Sequence, residues 1–171
     1  MKPSSMFAIP VLVLLVLLAF GMPATAQAGC ANSADPVRSI SKKNARTAIS
    51  CLFNKGRSAD NVKRNGKLKE AAQYHSGVMA SKRCMSHQCP GEANLEVRVS
   101  RTGYLRGSSS YELGEVVLAG SAKSSARTIV QRWFDSPPHK TTITRSSFDH
   151  VGVGLSIRDG VVYATGDFGR N

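Results

Sequence analysis

The stretch FDHVGVGLSIRDGVVYATGDF at residues 148–168 decides the fold of this chain. Apolar side chains occupy every second position from Val151 to Ile157, which is the period of a β-strand. Asp159-Gly160 is a two-residue turn of the type I′ kind. Counting back across this turn places six apolar residues on one face, in the pairs Ile157–Val162, Leu155–Ala164 and Val151–Phe168. The sequence therefore predicts an antiparallel hairpin with one buried face.

Helical patterns precede this hairpin. Helices are predicted over 44–55, 67–82, 92–102 and 124–135, and a further strand over 111–118. Pro137-Pro138 is expected to end the last of these helices. Runs of helix around late strands indicate an α+β protein rather than repeated βαβ units. The chain of 171 residues suits one domain.

The first 28 residues have the form of a secretory signal peptide. An apolar run from Phe7 to Phe20 follows Lys2, and Ala26-Gln27-Ala28 is an A-x-A cleavage site. The run is shorter than the roughly 20 residues that cross a bilayer, so an uncleaved anchor is the weaker alternative. Cleavage would leave a polar tail at 29–43 and a domain at 44–171, secreted to the extracellular side.

Four cysteines, Cys30, Cys51, Cys84 and Cys89, are expected to oxidise in that compartment. They allow three pairings. We favour Cys30–Cys51, which would fix the tail to the first helix, together with Cys84–Cys89, which would close a short loop around His87. A metal site made of Cys84, His87 and Cys89 is the alternative, and an oxidising compartment disfavours it.

The charge of the chain is strongly basic, with 23 Lys and Arg against 11 Asp and Glu and a formal net charge of +12. No nucleic-acid-binding motif accompanies it, and aromatic residues make up only 6%, so nucleic acid is not an expected partner. We expect attraction to anionic envelope polymers or lipid headgroups. The alternative is that the charge serves solubility alone.

Six segments, in order, resemble one known family. They are AAQYHSGVMA (71–80), MSHQCPG (85–91), RTGY (101–104), LGEVVLAG (113–120), IVQRWFDSPPHK (129–140) and FDHVGVGL (148–155). In these segments the chain is similar to the CAP superfamily of cysteine-rich secretory proteins, antigen 5 and plant pathogenesis-related proteins of class 1, and above all to its bacterial SCP-like branch. The resemblance implies a three-layer α-β-α sandwich with a central antiparallel sheet.

The resemblance also implies an open cavity lined by two histidines and two acids, which in some members holds a divalent metal such as zinc. Its motifs carry over onto His87, Glu115 and His139, which become cavity residues and candidate metal ligands. The second acid of the family has no match here, and Asp135 is the nearest substitute. Pro138 stands where the family has Gly, so we expect His139 to be presented differently.

Two imidazoles and one carboxylate can bind Zn²⁺ and leave a fourth position for water. A metal-activated water is the one enzyme mechanism that these residues permit, with Glu115 as ligand or general base. The expected function is a secreted, monomeric binding module for a small or lipid-like ligand. A metal-assisted hydrolase and a cationic envelope-binding protein are the alternatives, and the two histidines could also be hydrogen-bonded groups that only shape the pocket.

Three further aromatic side chains are interpreted as structural. His75 lies on the apolar face of its helix and is expected to be a core residue that could also contact the cavity from below. Trp133 is the one tryptophan and is expected in the core. His150 precedes the strand at 151–157 and is expected to be partly exposed there.

Overall fold

The computed structural model describes residues 29–171, and the predicted signal peptide at 1–28 lies outside them. The helices of this part are α1 (Lys42–Gly56), α2 (Gly66–Lys82), α3 (Leu95–Arg101), α4 (Ala126–Phe134) and α5 (Pro137–Thr144). Its strands are β1 (Lys63–Arg64), β2 (Glu112–Ser121), β3 (His150–Arg158) and β4 (Val161–Arg170). None of the helices described is long and apolar enough to span a membrane.

The four strands form one sheet in the order β1-β3-β4-β2. β4 pairs antiparallel with both β3 and β2, while the short β1 pairs parallel with β3. The predicted hairpin register is confirmed, with the pairs Ile157–Val162, Leu155–Ala164 and Val151–Phe168. Asp159 and Gly160 have φ values of 50° and 74°, which the type I′ turn requires.

Helices cover both faces of this sheet, which confirms the α-β-α sandwich. On one face, α1 and α4 enclose the main core, in which Phe53 packs against both Trp133 and Phe168. On the other face, α2 lies against β3 and β4, and α3 packs beside α2 around Val99. Because both faces are covered, a charged side chain in the middle strands is cut off from water.

Two glycines of β3 let α2 lie directly on the sheet. A Cβ on Gly152 would overlap the backbone of Lys69, and one on Gly154 would overlap the backbone of Ala72. The alternating sequence of β3 therefore has two different faces. Its apolar side chains enter the main core, and its bare backbone receives the helix.

Both favoured disulfides are present. Cys30 and Cys51 join the N-terminal segment to α1 with their Cα atoms 5.7 Å apart, and Cys84 and Cys89 close the loop after α2 at 6.0 Å. The part of the chain described has no free cysteine. The alternative metal site of Cys84, His87 and Cys89 is therefore wrong, because a disulfide leaves no thiolate to bind a metal.

Helix α5 was not predicted. We expected Pro137 and Pro138 only to end a helix, but they are the first two residues of α5. The first amides of a helix have no intrahelical partner, so the missing N–H of proline costs nothing there. His139 therefore belongs to the first turn of a helix. The predicted helix at 92–102 begins only at Leu95, because the Asn94 side chain accepts from the Val97 amide and caps it.

Candidate functional site

His87 is carried by the disulfide-closed loop after α2, and its backbone is held from two sides. Arg98 of α3 donates to the carbonyl oxygens of His87 and Ala93 at 3.1 and 2.9 Å. The Nε2 of His75, from α2, lies 2.9 Å from the carbonyl oxygen of Ser86. The His87 side chain itself is 59% exposed. The loop thus presents an exposed imidazole on a backbone that is held from both sides.

Glu115 on β2 joins the exposed histidine to the buried charges. Its Oε1 lies 2.9 Å from His87 Nδ1, and its Oε2 is bound by the guanidinium of Arg98. His75 Nε2 lies 3.9 Å from the same Oε2. Burial acts to raise the pKa of Glu115, but the hydrogen bond from His87 and the charges of Arg98 and His75 together lower it. Glu115 is therefore a carboxylate with both oxygens engaged.

His139, in the first turn of α5, faces His87 with the two ring centroids 6.2 Å apart. The hydrogen bond to Glu115 raises the pKa of His87, although burial partly opposes it. Burial, and then the charge on His87, lowers the pKa of His139. The pKa values of the two imidazoles are therefore shifted in opposite directions. His87 keeps its proton to higher pH, and His139 becomes neutral at lower pH.

Two surface hollows adjoin this pair, and β2 contributes to both. The first, of about 420 Å³, is lined by His87 and Glu115 with Leu95 and Leu113. The second, of about 250 Å³, is lined by residues around His139, namely Met85, Val117, Leu118, Ala119, Arg132, Trp133 and Ser136. The first hollow is mixed in character and the second mainly apolar. We call these two hollows, which both adjoin β2 and contain one histidine of the pair each, the groove along β2.

A buried polar cluster lies behind Glu115. His75 is fully buried, as predicted, and its Nδ1 lies 2.8 Å from Glu92 Oε1. Since the Ser86 carbonyl at Nε2 can only accept, Nε2 carries a hydrogen, and one more proton is shared between Nδ1 and Glu92. Glu92 Oε2 accepts from the Cys89 amide at 3.1 Å. His75 thus holds the loop that carries His87 against α2 through its contacts with Ser86 and Glu92.

Asp167 on β4 stands opposite Glu115 in the strand pairing and is fully buried. Neither of its carboxyl oxygens has a hydrogen-bond partner that could donate. Burial, and then the charge on Glu115, raises the pKa of Asp167 well above its usual range. Burial and the charge on Glu115 therefore favour the protonated form of Asp167 in the folded protein.

Sequence reasoning missed Glu92, Arg98 and Asp167. The sequence did contain one signal for Asp167. A sandwich with helices on both faces buries the middle of its inner strands, so an acid predicted there is a candidate functional or structural residue. Asp135 does not join the site. It is exposed at the end of α4 and accepts from Gln131 at 2.8 Å. Within residues 29–171, no hydrogen bond or ion pair links it to either histidine of the pair.

The side chains around the histidine pair meet the requirements of a metal-binding site only in part. Across the described part of the chain, no three His, Cys, Asp or Glu side chains are arranged to hold a metal ion. Ligation by Glu115 would also take its carboxylate from Arg98, which is buried. The two imidazoles remain. Rings on a tetrahedral zinc have centroids about 5 Å apart, which is near the observed 6.2 Å between His87 and His139.

The structure is an α-β-α sandwich in which the loop histidine His87 and the helix histidine His139 meet beside Glu115. Glu115 lies on β2, the outermost long strand of the sheet. These features define the CAP, or SCP-like, class of domain. The chain belongs to the CAP family, described as the cysteine-rich secretory protein family, whose profile matches residues 43–168. The predicted family is thereby confirmed. No curated protein matches the chain.

Three solved structures are similar to this chain. An extracellular protein containing an SCP domain from Bacillus anthracis str. Ames has a TM-score of 0.60 at 20% identity, over 75% of this chain and 40% of that one. An outer surface protein from Borrelia burgdorferi has a TM-score of 0.65 at 16% identity, over 77% of this chain and 96% of that one. A cysteine-rich secretory protein from Staphylococcus aureus subsp. aureus Mu50 has 0.53 at 18%, over 75% and 39%. This chain spans less than half of the first and third proteins, and the likeness shows the fold alone.

Proposed function

We propose that this protein is an extracellular binding module whose groove along β2 takes a small ligand, with a divalent metal ion held by His87 and His139. The observation that carries the proposal is that the two imidazoles face each other with ring centroids 6.2 Å apart and that each lines one of the two hollows. The extracellular location is supported by the two disulfides and the predicted signal peptide. It is further supported by similar structures that are described as extracellular or outer-surface proteins.

In this proposal Glu115 orients His87 and is not itself a ligand. Its Oε1 accepts from Nδ1–H of His87 at 2.9 Å, which leaves Nε2 as the donor atom for a metal. A carboxylate behind a metal-binding imidazole fixes the ring and its tautomer. A bound divalent cation would supply a positive charge for an anionic or carbonyl group of the ligand. Because His87 must lose its proton to bind, metal affinity is expected to fall as the pH drops through its raised pKa.

The groove supports a ligand with an apolar part. Val117, Leu118 and Ala119 line the hollow beside His139, and Arg132 adds a cation there. A concave, mostly apolar wall with a few polar groups is typical of small-molecule sites. We therefore propose a small or lipid-like ligand whose apolar portion lies in this hollow and whose polar end faces the histidines.

The geometry supports binding better than metal-assisted hydrolysis. Glu115 is the residue that the sequence offered as general base, and it is buried and paired with Arg98. Its pKa is lowered by His87, Arg98 and His75 despite burial, which makes it a weak base near neutral pH.

Zinc titration by calorimetry tests the metal site. His87→Ala and His139→Ala are expected to weaken zinc binding by about a hundredfold or more, because each removes one of two donors. His150→Ala is the matched control, since that ring bonds the Tyr104 hydroxyl at 3.0 Å and has no contact with the groove. Unchanged zinc affinity in both groove variants contradicts the proposal, and so does an equal loss in the control.

Dodecanoate binding tests the apolar hollow separately. Ala119→Leu would fill the hollow and is expected to weaken dodecanoate binding by about tenfold. Ala59→Leu adds the same side chain to the loop between α1 and β1 and should leave binding unchanged. If wild-type protein does not bind dodecanoate, or if both variants bind it equally, the proposed apolar ligand is wrong.

A further inference from the structure

The surface of this protein is more basic than its composition suggests, because acids are buried more often than bases. Of the 11 acidic side chains, three are buried, namely Glu92, Glu115 and Asp167. Of the 22 Lys and Arg at 29–171, only Arg57 and Arg98 are buried. The remaining surface therefore carries 20 basic groups against eight acidic ones.

These bases concentrate where α1, β1 and α2 meet at one edge of the sheet. Residues 42–69 contain nine Lys and Arg and a single acid, Asp60. Arg64 of β1 donates to Thr47 Oγ1 of α1 at 2.7 Å, and Arg46 of α1 donates to Gln73 Oε1 of α2 at 3.0 Å. Side chains that are distant in sequence are thus held together in space.

We call the group of Lys43, Arg46, Arg64 and Lys69 the basic edge. Lys43 lies one helical turn before Thr47, and Lys69 one turn before Gln73, so each stands beside one of the two contacts just described. Three of the four are exposed and Arg46 is half-buried. Glu70 points elsewhere, since it lines a hollow between α2 and α3 with Tyr74 and Arg101.

The basic edge follows the outer side of β3, part of which is already occupied by β1 and by the Gln73 side chain. β1 pairs with β3 only at His150 and Val151. Farther along β3, the Gln73 side chain donates to the Leu155 carbonyl at 3.0 Å and accepts from its amide at 3.2 Å. The backbone of Leu155 is therefore already satisfied and cannot pair with a partner strand, so positive charge is what this surface mainly offers a partner.

We propose that the basic edge binds a linear anionic polymer of the cell envelope whose phosphate groups repeat along its length. Arg46 and Arg64 each use one terminal nitrogen in the contacts above and keep other N–H donors, which suit phosphate oxygens. None of the exposed large apolar side chains described, which are Tyr74, Met85, Val97, Tyr111 and Ile157, belongs to the basic edge. It therefore lacks the apolar residues that insert into a bilayer. This surface is separate from the groove, and the proposal rests on the function proposed above only for the extracellular location.

Binding of fluorescent long-chain polyphosphate at 50 to 200 mM NaCl tests the proposal on the full mature chain. Arg64→Glu with Lys69→Glu is expected to raise Kd by at least about tenfold and to reduce the slope of log Kd against log[NaCl] by about two. Arg106→Glu with Lys123→Glu is the matched control, with the same change in net charge at exposed positions away from the edge. Its Kd should change less than about threefold. Equal weakening in the two double variants overturns the proposal, because net charge alone would explain it.

A second variant and two other probes complete the test. Lys43→Glu with Lys69→Glu leaves both cross-links of the edge intact and should give the same loss, so that misfolding is not the explanation. Vesicles of phosphatidylcholine with about 30 mol% phosphatidylglycerol should bind more weakly than polyphosphate and with little dependence on the edge. The proposal is contradicted if vesicles or duplex DNA bind more tightly than polyphosphate and if that binding is lost in the edge variants. The partner would then be a membrane or a nucleic acid.

Discussion

Arg98 is the single residue that holds the candidate site together. Its guanidinium binds Glu115 and the carbonyl oxygens of His87 and Ala93, and the side chain is fully buried. Glu115 and Glu92 would otherwise be two buried acids without a permanent positive charge between them. The loop of His87 and the strand of Glu115 are therefore positioned by the same side chain.

Arg98→Ala is expected to lower the free energy of unfolding by about 3 to 5 kcal/mol, because it leaves the Glu115 carboxylate buried without its ion-pair partner. Urea denaturation followed by circular dichroism measures this. Arg101→Ala, in the same helix but exposed, should cost less than about 1 kcal/mol. Equal effects of the two substitutions would show that Arg98 is not the organising residue.

Asp167 makes a pH-dependent contribution whose sign follows from its environment. Burial raises its pKa in the folded state well above the value of about 3.9 that an unfolded chain has. The folded protein therefore holds a proton that the unfolded chain releases. Its stabilising contribution is complete below about pH 4 and is lost as the pH rises from there through the raised pKa.

Asp167→Asn removes this titration and should flatten the fall of the unfolding free energy with rising pH. The amide has nearly the same size and shape as the carboxyl group and carries no charge, so the fold is expected to be retained. Denaturation curves between pH 4 and 9 measure the slope, with Asp135→Asn as the matched control at an exposed carboxylate. A slope that Asp167→Asn leaves as steep as in the wild type would mean that Asp167 is ionised in the folded protein.

At the scale of elements, the contact between β3 and α2 depends on the absence of side chains. Gly152→Ala would place a methyl group on the backbone of Lys69 and is expected to cost at least about 3 kcal/mol. Gly66→Ala, at the start of α2 where nothing lies near the added Cβ, should instead stabilise by about 0.5 kcal/mol. Thermal unfolding of both variants compares them, and a Gly152→Ala protein as stable as wild type would show that the helix can move away from the strand.

Elements were predictable from sequence where the pattern is local. The hairpin of β3 and β4 follows from a period of two and an Asp-Gly turn, and α2 from its apolar face. α5 was not predictable in this way, since Pro137-Pro138 can end one helix and begin the next. β1 has only two residues, and it pairs with β3 because the neighbouring loop lies there, which no local pattern indicates.

At the scale of the whole molecule, each of the two disulfides is expected to contribute a stabilisation that rises with the logarithm of the length of the loop that it closes. Replacing Cys30 and Cys51 by Ala opens a loop with a sequence separation of 21, which the chain-entropy relation values at about 3 kcal/mol. Replacing Cys84 and Cys89 opens one with a separation of 5, worth about 2 kcal/mol on the same relation.

Denaturation of the two double variants measures these differences, and zinc titration adds a second readout. Only the Cys84/Cys89 variant should also weaken zinc binding, because its loop carries His87. Weaker zinc binding in the Cys30/Cys51 variant alone would contradict the role of that loop in the site.

The sequence by itself determined the hairpin register, the main helices, the favoured disulfides and, through the resemblance, the family, and it predicted His87, Glu115 and His139 as site residues. These depend on neighbours along the chain or on short motifs, so they can be recognised before the chain is folded. Only the tertiary structure decided that Arg98 binds Glu115, that Asp167 is buried opposite Glu115, that His75 contacts Glu92, and that Asp135 faces solvent. Those contacts join side chains from different helices, strands and loops, and their energies depend on burial that exists only once both faces of the sheet are covered.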